Sequence, residues 1–302
     1  MRGGDESTLA WLLDGDPAVR WRVRAFLTDA TEAQVAVERC RVAEAGWGAR
    51  LLAEQAADGS WGGGMYSPKW TSTTYTLLHL LWLGLPSGDA AALRGLERLW
   101  QWQGAWRQWE ACIESMLVRL TASFGYPAGL LDAVVADLLD QQQDDGGWNC
   151  VTRTDRGKHS SFHTSIQALE ALQAYRTAGG PLDVQHAEQR GQEFFLRHHL
   201  YRSHRTGEVA IPASTRFPAF PEWHFDVLRG LEYFAAAGAA DDRLGDGVDL
   251  LAAKRRRTGS WSTYAPYSGR QWFRLEPSGP SRWTTVRALA VLRWWDRAPR
   301  GV

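Results

Sequence analysis

The chain has 302 residues, of which 44% are hydrophobic and 17 are tryptophan, and its acidic and basic residues balance to a formal net charge of zero. This apolar content predicts a large buried core, since each aromatic ring removes about 150 to 250 Å² from water, and it excludes a disordered chain. The zero net charge argues against nucleic acid or an anionic membrane surface as the main partner.

Cysteine use and hydropathy predict where the protein works. Cys40, Cys112 and Cys150 are odd in number and far apart, which suits a reducing compartment better than a disulfide framework. Residues 1–8 contain no apolar signal segment, and no later stretch offers about 18 uninterrupted apolar residues. We therefore expect a soluble, cytoplasmic protein without an integral membrane segment.

A turn followed by tryptophan recurs along the chain. Full copies place a glycine two residues before Trp61, Trp148 and Trp261, and weaker copies fall near positions 17, 106 and 209. Such a repeat is typical of helical hairpins that stack around one continuous core. Residues 1–302 are therefore expected to form a single domain of six helix pairs.

Apolar residues recur every three or four positions between the turns, which predicts helices. One set of helices follows the turns and is strongly apolar, so we expect it to lie inside. These helices begin near Pro17, Trp70, Glu110, His159, Pro221 and Ser281. A second set mixes charged residues with leucine and alanine, so we expect it to face solvent. These helices lie near residues 33–57, 88–102, 128–142, 183–200 and 241–256. Strand patterns are nearly absent, and the predicted class is all-α.

The segments between a turn and the next inner helix are long, and in a ring of hairpins they lie on one rim. They cover residues 62–69, 149–158, 210–220 and 262–280. Most of their charged residues are basic: Lys69, Arg153, Arg156, Lys158, Arg216, Arg270 and Arg274, against Asp155 and Glu276. Helix N-termini add positive potential there, so this rim is predicted to bind a carboxylate or phosphate. The alternative is that these basic residues only solvate the surface.

The turns also carry a family resemblance. The segments 55–61 and 142–148 both read Q-x-x-x-G-x-W, the repeat of squalene-hopene and oxidosqualene cyclases, and related repeats build the β subunits of protein prenyltransferases. The chain resembles this terpenoid-cyclase and prenyltransferase-like superfamily, and within it the short, single-barrel bacterial proteins described as squalene-cyclase-like. The resemblance implies an (α/α)6 barrel, or toroid, with a central cavity that opens at one rim.

The resemblance further implies an enzyme acting on a hydrophobic, isoprenoid-type substrate with an anionic group, by cyclisation, prenyl transfer or a related lyase step. The D-x-D-D motif with which class II cyclases protonate their substrates is absent from the chain. Asp144–Asp145 and Asp241–Asp242 come nearest to the D-D-x-x-D cluster of class I terpene enzymes, but turn and cap roles explain them better. Squalene cyclisation itself is therefore not expected.

Two other functions fit the same sequence. Barrels of the (α/α)6 type also bind sugars in tryptophan-lined clefts, which leaves a carbohydrate-active lyase or hydrolase open. Absence of the catalytic motifs is also compatible with a non-catalytic module that binds a ligand or a protein.

Histidines cluster near the predicted starts of the inner helices. His159 and His163 are four residues apart and would share one helix face, and His224 precedes Asp226 by two residues at the next inner helix. These groups are candidates for acid–base catalysis, with Asp226 orienting or balancing a histidine. Glu114, inside an apolar helix, is a further candidate acid, because burial raises the pKa of a carboxyl.

The same region offers ligands for a metal. Protein prenyltransferases bind zinc with Asp, Cys and His near inner-helix starts, so the resemblance implies a candidate zinc site formed by Cys150, His159, His163 and His224. The alternative is that His159 caps its helix, His163 hydrogen-bonds a neighbouring repeat and Cys150 is a small buried apolar residue. The sequence requires no other cofactor.

Aromatic and basic residues near this rim complete the predicted substrate site. Its aromatic members are Trp70, Tyr75, Phe162, Trp223, Trp272 and Trp283. They would hold an apolar chain and stabilise a carbocation. The alternative is that they only pack the core. Its basic members on inner helices are Arg229 and Arg282, with Arg287 nearby. These arginines either bind the anionic group or neutralise carboxylates, for which the candidates are Glu114, Glu170, Asp226 and Glu232.

Overall fold

The computed structural model describes residues 3–102, 110–127, 129, 131–151 and 159–299, with side chains from residue 6 onward. These residues are mostly helical, which confirms the predicted all-α class. The α-helices are α1 Gly3–Leu13, α2 Pro17–Arg22, α3 Glu32–Glu44, α4 Gly46–Ala53, α5 Thr73–Leu83, α6 Ala90–Trp102, α7 Ala111–Phe124, α8 Leu131–Asp140, α9 Phe162–Thr177, α10 Gln185–Arg197, α11 Val227–Ala237, α12 Gly245–Ala253 and α13 Arg282–Arg297.

Shorter elements join these helices. A π-helical turn, Val23–Leu27, continues α2, and 3₁₀ turns cover Pro212–Thr215 and Asp242–Leu244. Strands β1, Trp261–Ser262, and β2, Pro280–Ser281, pair antiparallel just before α13. Within the described residues, strand structure is therefore limited to a small ribbon and isolated bridges.

The two predicted sets of helices are both present. The helices that follow the turns are α2, α5, α7, α9, α11 and α13, which we call the post-turn helices, and each begins within six residues of its predicted start. Nearly every residue of α5 and most residues of α7 and α9 are buried. Helices α6, α8 and α12 bury three or four residues each, as expected for helices that face solvent on one side.

The three full turns close with the same hydrogen bonds. The indole Nε1 of Trp61, Trp148 and Trp261 donates to the backbone carbonyl ten residues earlier, over 2.8 Å in each case. The backbone NH of each tryptophan donates over 2.8 to 3.0 Å to a hydroxyl in the next post-turn helix, that of Thr73, Ser165 or Thr285. Each turn thus ties the end of one helix to the start of the next.

The glutamine of the repeat links the turn after α8 to helix α10. The Gln142 side-chain amide donates to the carbonyl of Gly146 over 2.8 Å and to that of Ala187, in α10, over 2.9 Å. Gly146 has φ +97°, and a Cβ there would lie 2.4 Å from the Arg190 carbonyl oxygen, so glycine is required at this position.

The post-turn helices contact one another in chain order. Helix α5 contacts α7, α7 contacts α9, α9 contacts α11, α11 contacts α13, and α13 contacts α2. The Trp21 indole of α2 donates over 2.8 Å to the carbonyl of Leu83 at the end of α5. The last post-turn helix therefore contacts the first, and the first also touches the second.

The long segments that precede the post-turn helices pack against each other at one end of the molecule. We call this end the loop face; its described residues are 61–72, 148–151, 159–161, 209–226 and 261–281. Backbone hydrogen bonds run from Trp70 N to Arg270 O over 2.9 Å and from Arg270 N to Lys69 O over 2.7 Å. Parts of the chain about 200 residues apart thus meet directly at this face.

The helices do not have the character of membrane spans. In the part of the chain that the structure describes, none is both long enough and apolar enough to cross a bilayer.

Candidate functional site

A cavity of about 810 Å³ lies among the post-turn helices. Residues of all six line it, and most belong to the C-terminal halves of their helices, as Trp82 does in α5 and Ala122 in α7. Phe26, Thr177 and Ala236 are lining residues that are also exposed, so the cavity reaches the surface at the helix ends opposite the loop face. Its volume falls in the range of small-molecule binding sites.

The residues that line the cavity are mainly aromatic residues and alanines. Its aromatic residues are Trp21, Phe26, Trp82, Tyr233, Trp283 and Trp294. Its alanines are Ala122, Ala174, Ala178, Ala235, Ala236 and Ala290. The alanine side chains are too small to fill the cavity, and the indole rings offer flat apolar surfaces to a ligand inside it.

Five charged residues also line the cavity, and we call them the charged cluster: Arg22, Arg119, Glu170, Glu232 and Arg287. Arg119 Nη1 lies 2.5 Å from Glu170 Oε2, and Arg287 binds both oxygens of Glu232 over 2.7 and 2.8 Å. Three guanidinium groups therefore face two carboxylates, and the cluster carries an excess of positive charge.

Arg229 does not line the cavity, but it binds a carboxylate of the charged cluster. It is 3% exposed and binds both oxygens of Glu170, over 2.6 and 3.0 Å. Burial acts to raise the pKa of Glu170, but the nearby Arg119 and Arg229 guanidinium groups outweigh it and the pKa is lowered. Glu170 is thus held as a carboxylate. In the pairs Arg229–Glu170 and Arg287–Glu232 these arginines neutralise carboxylates, which is one of the two roles that the sequence leaves open for them.

Arg22 differs from the other arginines of the cluster. Its guanidinium donates to the backbone carbonyls of Ala18, Trp82 and Leu83, and no described carboxylate lies within ion-pair distance of it. It stacks on Trp21 and Trp283, at 4.3 and 4.5 Å from the ring centroids. Burial lowers its pKa to about 9, which still leaves it charged at neutral pH.

At the loop face, where the sequence predicts the mouth, the described side chains pack together over much of the surface. The Trp70 indole donates to the carbonyls of Tyr267 and Ser268 over 3.2 and 3.1 Å, and the Trp272 indole donates to Thr76 Oγ1 over 3.0 Å. The large cavity therefore opens away from the predicted rim. The physical reason is that the aromatic residues of the long loops pack on each other across the helix N-termini instead of lining an opening.

Of the eight predicted substrate-binding residues, Trp283 lines the large cavity. Phe162 packs in the core against Phe194 and Phe225, and Tyr75 is fully buried beside Trp70. Arg282 donates to the carbonyl of Trp11 over 2.8 Å and so holds α1. Trp223 stacks on His224, and Arg229 binds Glu170 as described above. These contacts assign packing or ion-pairing roles to residues that the sequence places in a substrate site.

Two of the predicted histidines come together in an aromatic stack. The His224 ring lies between Trp223 and Tyr267, with centroid distances of 3.7 and 3.5 Å, and the His163 ring meets it edge-on at 5.5 Å. His163 Nδ1 accepts a hydrogen bond of 2.8 Å from the backbone NH of Phe225. Burial lowers the pKa of His163 to about 4 and that of His224 to about 3, so both rings are neutral at physiological pH.

The other candidate acid–base residues are separated from this stack or buried. His159 is exposed, and its carbonyl accepts from Asn149. Asp226 caps α11, with Oδ1 accepting from Arg229 N over 2.9 Å, and burial raises its pKa to about 6. Glu114 is fully buried, and its Oε2 accepts from the Gln141 amide over 2.6 Å. Arg119 and Arg229 bind Glu170.

Cys150 lies apart from the predicted histidine ligands. Its Sγ is 3.1 Å from Thr164 Oγ1, and its neighbours among metal-ligating side chains are Glu110 and Cys112. A hydrogen bond shared by the two thiols raises the pKa of Cys112 and lowers that of Cys150. In the described residues, the predicted set of Cys150, His159, His163 and His224 is not brought together as a metal site.

The basic rim predicted from the loops is only partly described. Arg153, Asp155, Arg156 and Lys158 lie outside the described residues, as does the weak turn at position 106. Lys69 Nζ lies over the rings of Tyr66, Trp70 and Trp223, at 5.1 to 5.6 Å. Arg274 lines a smaller pocket of about 260 Å³ at the loop face, which also includes Phe220, Glu222 and Gln271.

The sequence carries a signal for four of the five residues of the charged cluster. Arg119, Glu170, Glu232 and Arg287 each stand within a helical run rich in apolar residues, whereas Arg22 lies between Arg20 and Arg24 and does not stand out. A buried charge on an apolar helix needs compensating polar contacts, and Arg119, Glu170, Glu232 and Arg287 find them in ion pairs.

No protein-family model and no curated protein matches the chain. A crystal structure of a protein from Actinoplanes is similar to it with a TM-score of 0.45 and 16% sequence identity, over 93% of this chain and 90% of that one. A similarity of this size indicates neither a ligand nor a reaction.

Proposed function

We propose that the chain is an (α/α)6 toroid of the terpenoid-cyclase and prenyltransferase-like type. Three features support this proposal: the repeated tryptophan turns, the succession of contacts from α2 through α13 and back to α2, and a cavity lined by all six post-turn helices. The repeat length and the Q-x-x-x-G-x-W pattern agree with it.

We infer that this cavity binds a hydrophobic small molecule, of isoprenoid type, that carries an anionic group. The observation that carries the inference is the combination, within one cavity, of an aromatic and alanine wall with a charged cluster in which guanidinium groups outnumber carboxylates. The apolar part of the ligand packs on the indole rings, and its anionic group binds the arginines. The proposed compartment for this binding is the cytoplasm, because an odd number of widely spaced cysteines suits a reducing environment.

Arg22 is the arginine best suited to receive the anion. Arg119 and Arg287 already bind carboxylates, whereas the partners of Arg22 are neutral carbonyls and ring faces. A phosphate beside Arg22 would gain a charge-assisted hydrogen bond, which is about twice as strong as a neutral one. Arg119 and Arg287 would add favourable charge from the sides.

Binding of farnesyl monophosphate and of farnesol, measured by titration calorimetry, tests this function. We expect the wild-type protein to bind the phosphate more tightly than the alcohol. The Arg119→Gln substitution should weaken phosphate binding roughly 10-fold or more, because it removes a positive charge that flanks the anion, and such a charge at about 4 Å contributes about 1 to 4 kcal/mol. Glu170 keeps Arg229 as its partner in this variant, so the fold should persist.

Arg205→Gln is the matched control, because Arg205 is exposed and does not line the cavity. It should bind both compounds as the wild type does. Equal affinity of wild type and Arg119→Gln for the phosphate would contradict the assignment of the anion to the charged cluster.

Conversion of the ligand is the second candidate function. Its support is the position of Arg22 against the faces of Trp21 and Trp283, which brings an anion-binding group next to π surfaces able to stabilise a cation. In such a reaction the allylic C–O bond breaks, phosphate leaves with the electron pair and is held by the arginines, and the allylic cation loses a proton or is captured by water.

Incubation of the protein with farnesyl monophosphate separates the two candidates. An enzyme releases inorganic phosphate together with a hydrocarbon or alcohol that mass spectrometry identifies. Recovery of unchanged ligand from a protein that binds it indicates a carrier. Glu170, which is held as a carboxylate, does not serve as the proton donor in either case.

A further inference from the structure

Two thiols and a carboxylate meet at the loop face, away from the central cavity. Glu110 is the N-cap residue of α7, Cys112 lies in its first turn, and Cys150 lies in the segment between Trp148 and α9. One ligand atom from each of the three lies within 4.8 Å of the other two, and Cys112 Sγ is 3.7 Å from Glu110 Oε2.

The surrounding backbone holds these residues in place. The Glu110 carbonyl accepts from the backbone NH of Ile113 over 2.8 Å, which fixes Glu110 and Cys112 at the start of one helix. Cys150 follows the buried Trp148 by two residues, and its Sγ is 3.1 Å from Thr164 Oγ1 in α9. The start of α7 and the segment between Trp148 and α9 therefore present the three side chains to one another.

The spacing of the three ligand atoms fits a tetrahedral metal. Zinc bonds of about 2.3 Å to sulfur and about 2.1 Å to oxygen place the two ligand atoms roughly 3.6 Å apart, and two sulfurs roughly 3.8 Å apart. The observed 3.7 Å between Cys112 Sγ and Glu110 Oε2 agrees with this geometry. Little movement would be needed to close the three groups around one ion.

The chemistry of the ligands selects the kind of metal. Two thiolates favour zinc over magnesium or calcium, which prefer oxygen ligands, and a carboxylate is a regular third ligand of zinc. Glu110 is exposed and Cys150 partly so, and an ion therefore reaches the site from solvent. We propose that Glu110, Cys112 and Cys150 bind one zinc ion, with the fourth position taken by water.

This set shares only Cys150 with the zinc ligands expected from the family resemblance, and it contains no histidine. It is independent of the ligand proposed for the central cavity, because none of its residues lines that cavity. The other fate open to two adjacent thiols is a disulfide, and the experiment below separates the two.

Cobalt substitution under reducing conditions tests the site in the full chain. One equivalent of Co²⁺ should produce a thiolate-to-cobalt charge-transfer band and the intense visible bands of tetrahedral coordination, and one equivalent of Zn²⁺ should abolish both. Cys112→Ser and Cys150→Ser should each lose the charge-transfer intensity and bind zinc at least about 100-fold more weakly, and Glu110→Gln at least about tenfold more weakly. Cys40→Ser is the matched control, because Cys40 is an exposed thiol outside the cluster, and it should behave as wild type.

Alkylation of the wild-type protein provides a readout that does not depend on the folding of a variant. Zinc should protect Cys112 and Cys150 from iodoacetamide and leave Cys40 reactive. Failure of the reduced protein to bind cobalt or zinc overturns the proposal, as does an unchanged cobalt spectrum in Cys112→Ser. A protein that forms a Cys112–Cys150 disulfide on oxidation but gives no thiolate–cobalt band when reduced also overturns it, and indicates a redox pair instead.

Discussion

At the scale of single residues, burial rather than residue type sets the charge of the polar groups behind the loop face. Asp226 and His224 lie two positions apart, yet burial raises the pKa of Asp226 to about 6 and lowers that of His224 to about 3. In both cases the neutral form is favoured, because a buried site solvates a charge poorly. The sequence prediction that Asp226 balances a charged histidine does not fit these two shifts.

Asp226 should therefore make the stability of the protein depend on pH. Its carboxyl is neutral in the folded protein up to about pH 6, but in the unfolded chain it ionises from about pH 4. The free energy of unfolding should fall as the pH rises through this window, since the folded state binds the extra proton. Asp226→Asn keeps an oxygen that caps α11 and removes the titration.

Urea unfolding of wild type and Asp226→Asn at pH 4.5 and pH 7.5 measures this effect. The variant should gain stability relative to wild type on the order of 2 kcal/mol between the two pH values, because the pKa shift is about two units. An equal pH dependence in both proteins would show that Asp226 titrates normally.

At the scale of elements, the tryptophan turn is the joint that positions each post-turn helix. In the second copy, the backbone NH of Trp148 donates to Ser165 Oγ over 2.8 Å, and the indole reaches back to Leu138. The equivalent hydroxyls in the other two copies belong to Thr73 and Thr285. The joint thus needs a hydroxyl at this point of the helix and accepts either residue type.

The Ser165→Ala substitution should destabilise the protein by about 1 to 3 kcal/mol, because the buried NH of Trp148 loses its acceptor. Ser165→Thr should retain most of the stability, since threonine serves in the same place in the other copies. Chemical denaturation measures both changes. Ser87→Ala, at an exposed position between α5 and α6, is a control that should leave stability unchanged. A Ser165→Ala protein as stable as wild type would mean that the hydroxyl does not hold the joint.

The elements were predictable because their signals are local. Gly59 and Trp61, or Gly146 and Trp148, mark the end of one helix and the approach to the next within a few residues. The residues that line the cavity could not be predicted in this way, because the lining depends on contacts between distant parts of the chain. Trp70 finds the carbonyls of Tyr267 and Ser268 nearly 200 residues away, and no pattern in the sequence encodes that contact.

At the scale of the whole molecule, the large cavity is a property of the six post-turn helices together. No single repeat encloses it, and its alanines matter because they are small. Ala174, in α9, is a lining residue that is only partly buried, so a larger side chain there has space to extend into the cavity.

Ala174→Trp should therefore abolish binding of farnesyl monophosphate while changing the free energy of unfolding by less than about 1 kcal/mol. The reason is that the indole occupies the ligand's volume without displacing packed core atoms. Calorimetry and thermal unfolding measure the two quantities. Ala252→Trp, on the exposed side of α12, is the matched control and should bind normally. Undiminished binding by Ala174→Trp would place the ligand elsewhere.

The charged cluster was partly visible in the sequence. Arg229, Arg287, Glu170 and Glu232 stand out as charges within apolar helices, and all four were among the candidates for ion pairs, although the sequence did not indicate which arginine pairs with which carboxylate. Arg22 was missed, because its partners are backbone carbonyls and ring faces of other helices, and residue type alone does not indicate them.

The direction in which the cavity opens has a consequence for ligand selection. The C-terminal ends of the post-turn helices surround the opening, so partial negative charge from helix dipoles lies at the entrance and the arginines lie deeper. An amphiphile would settle with its head inward and its tail pointing out past Phe26. Such a receptor discriminates by the head group and tolerates tails of different length, because the described residues form no closed wall at the tail end that would limit the length.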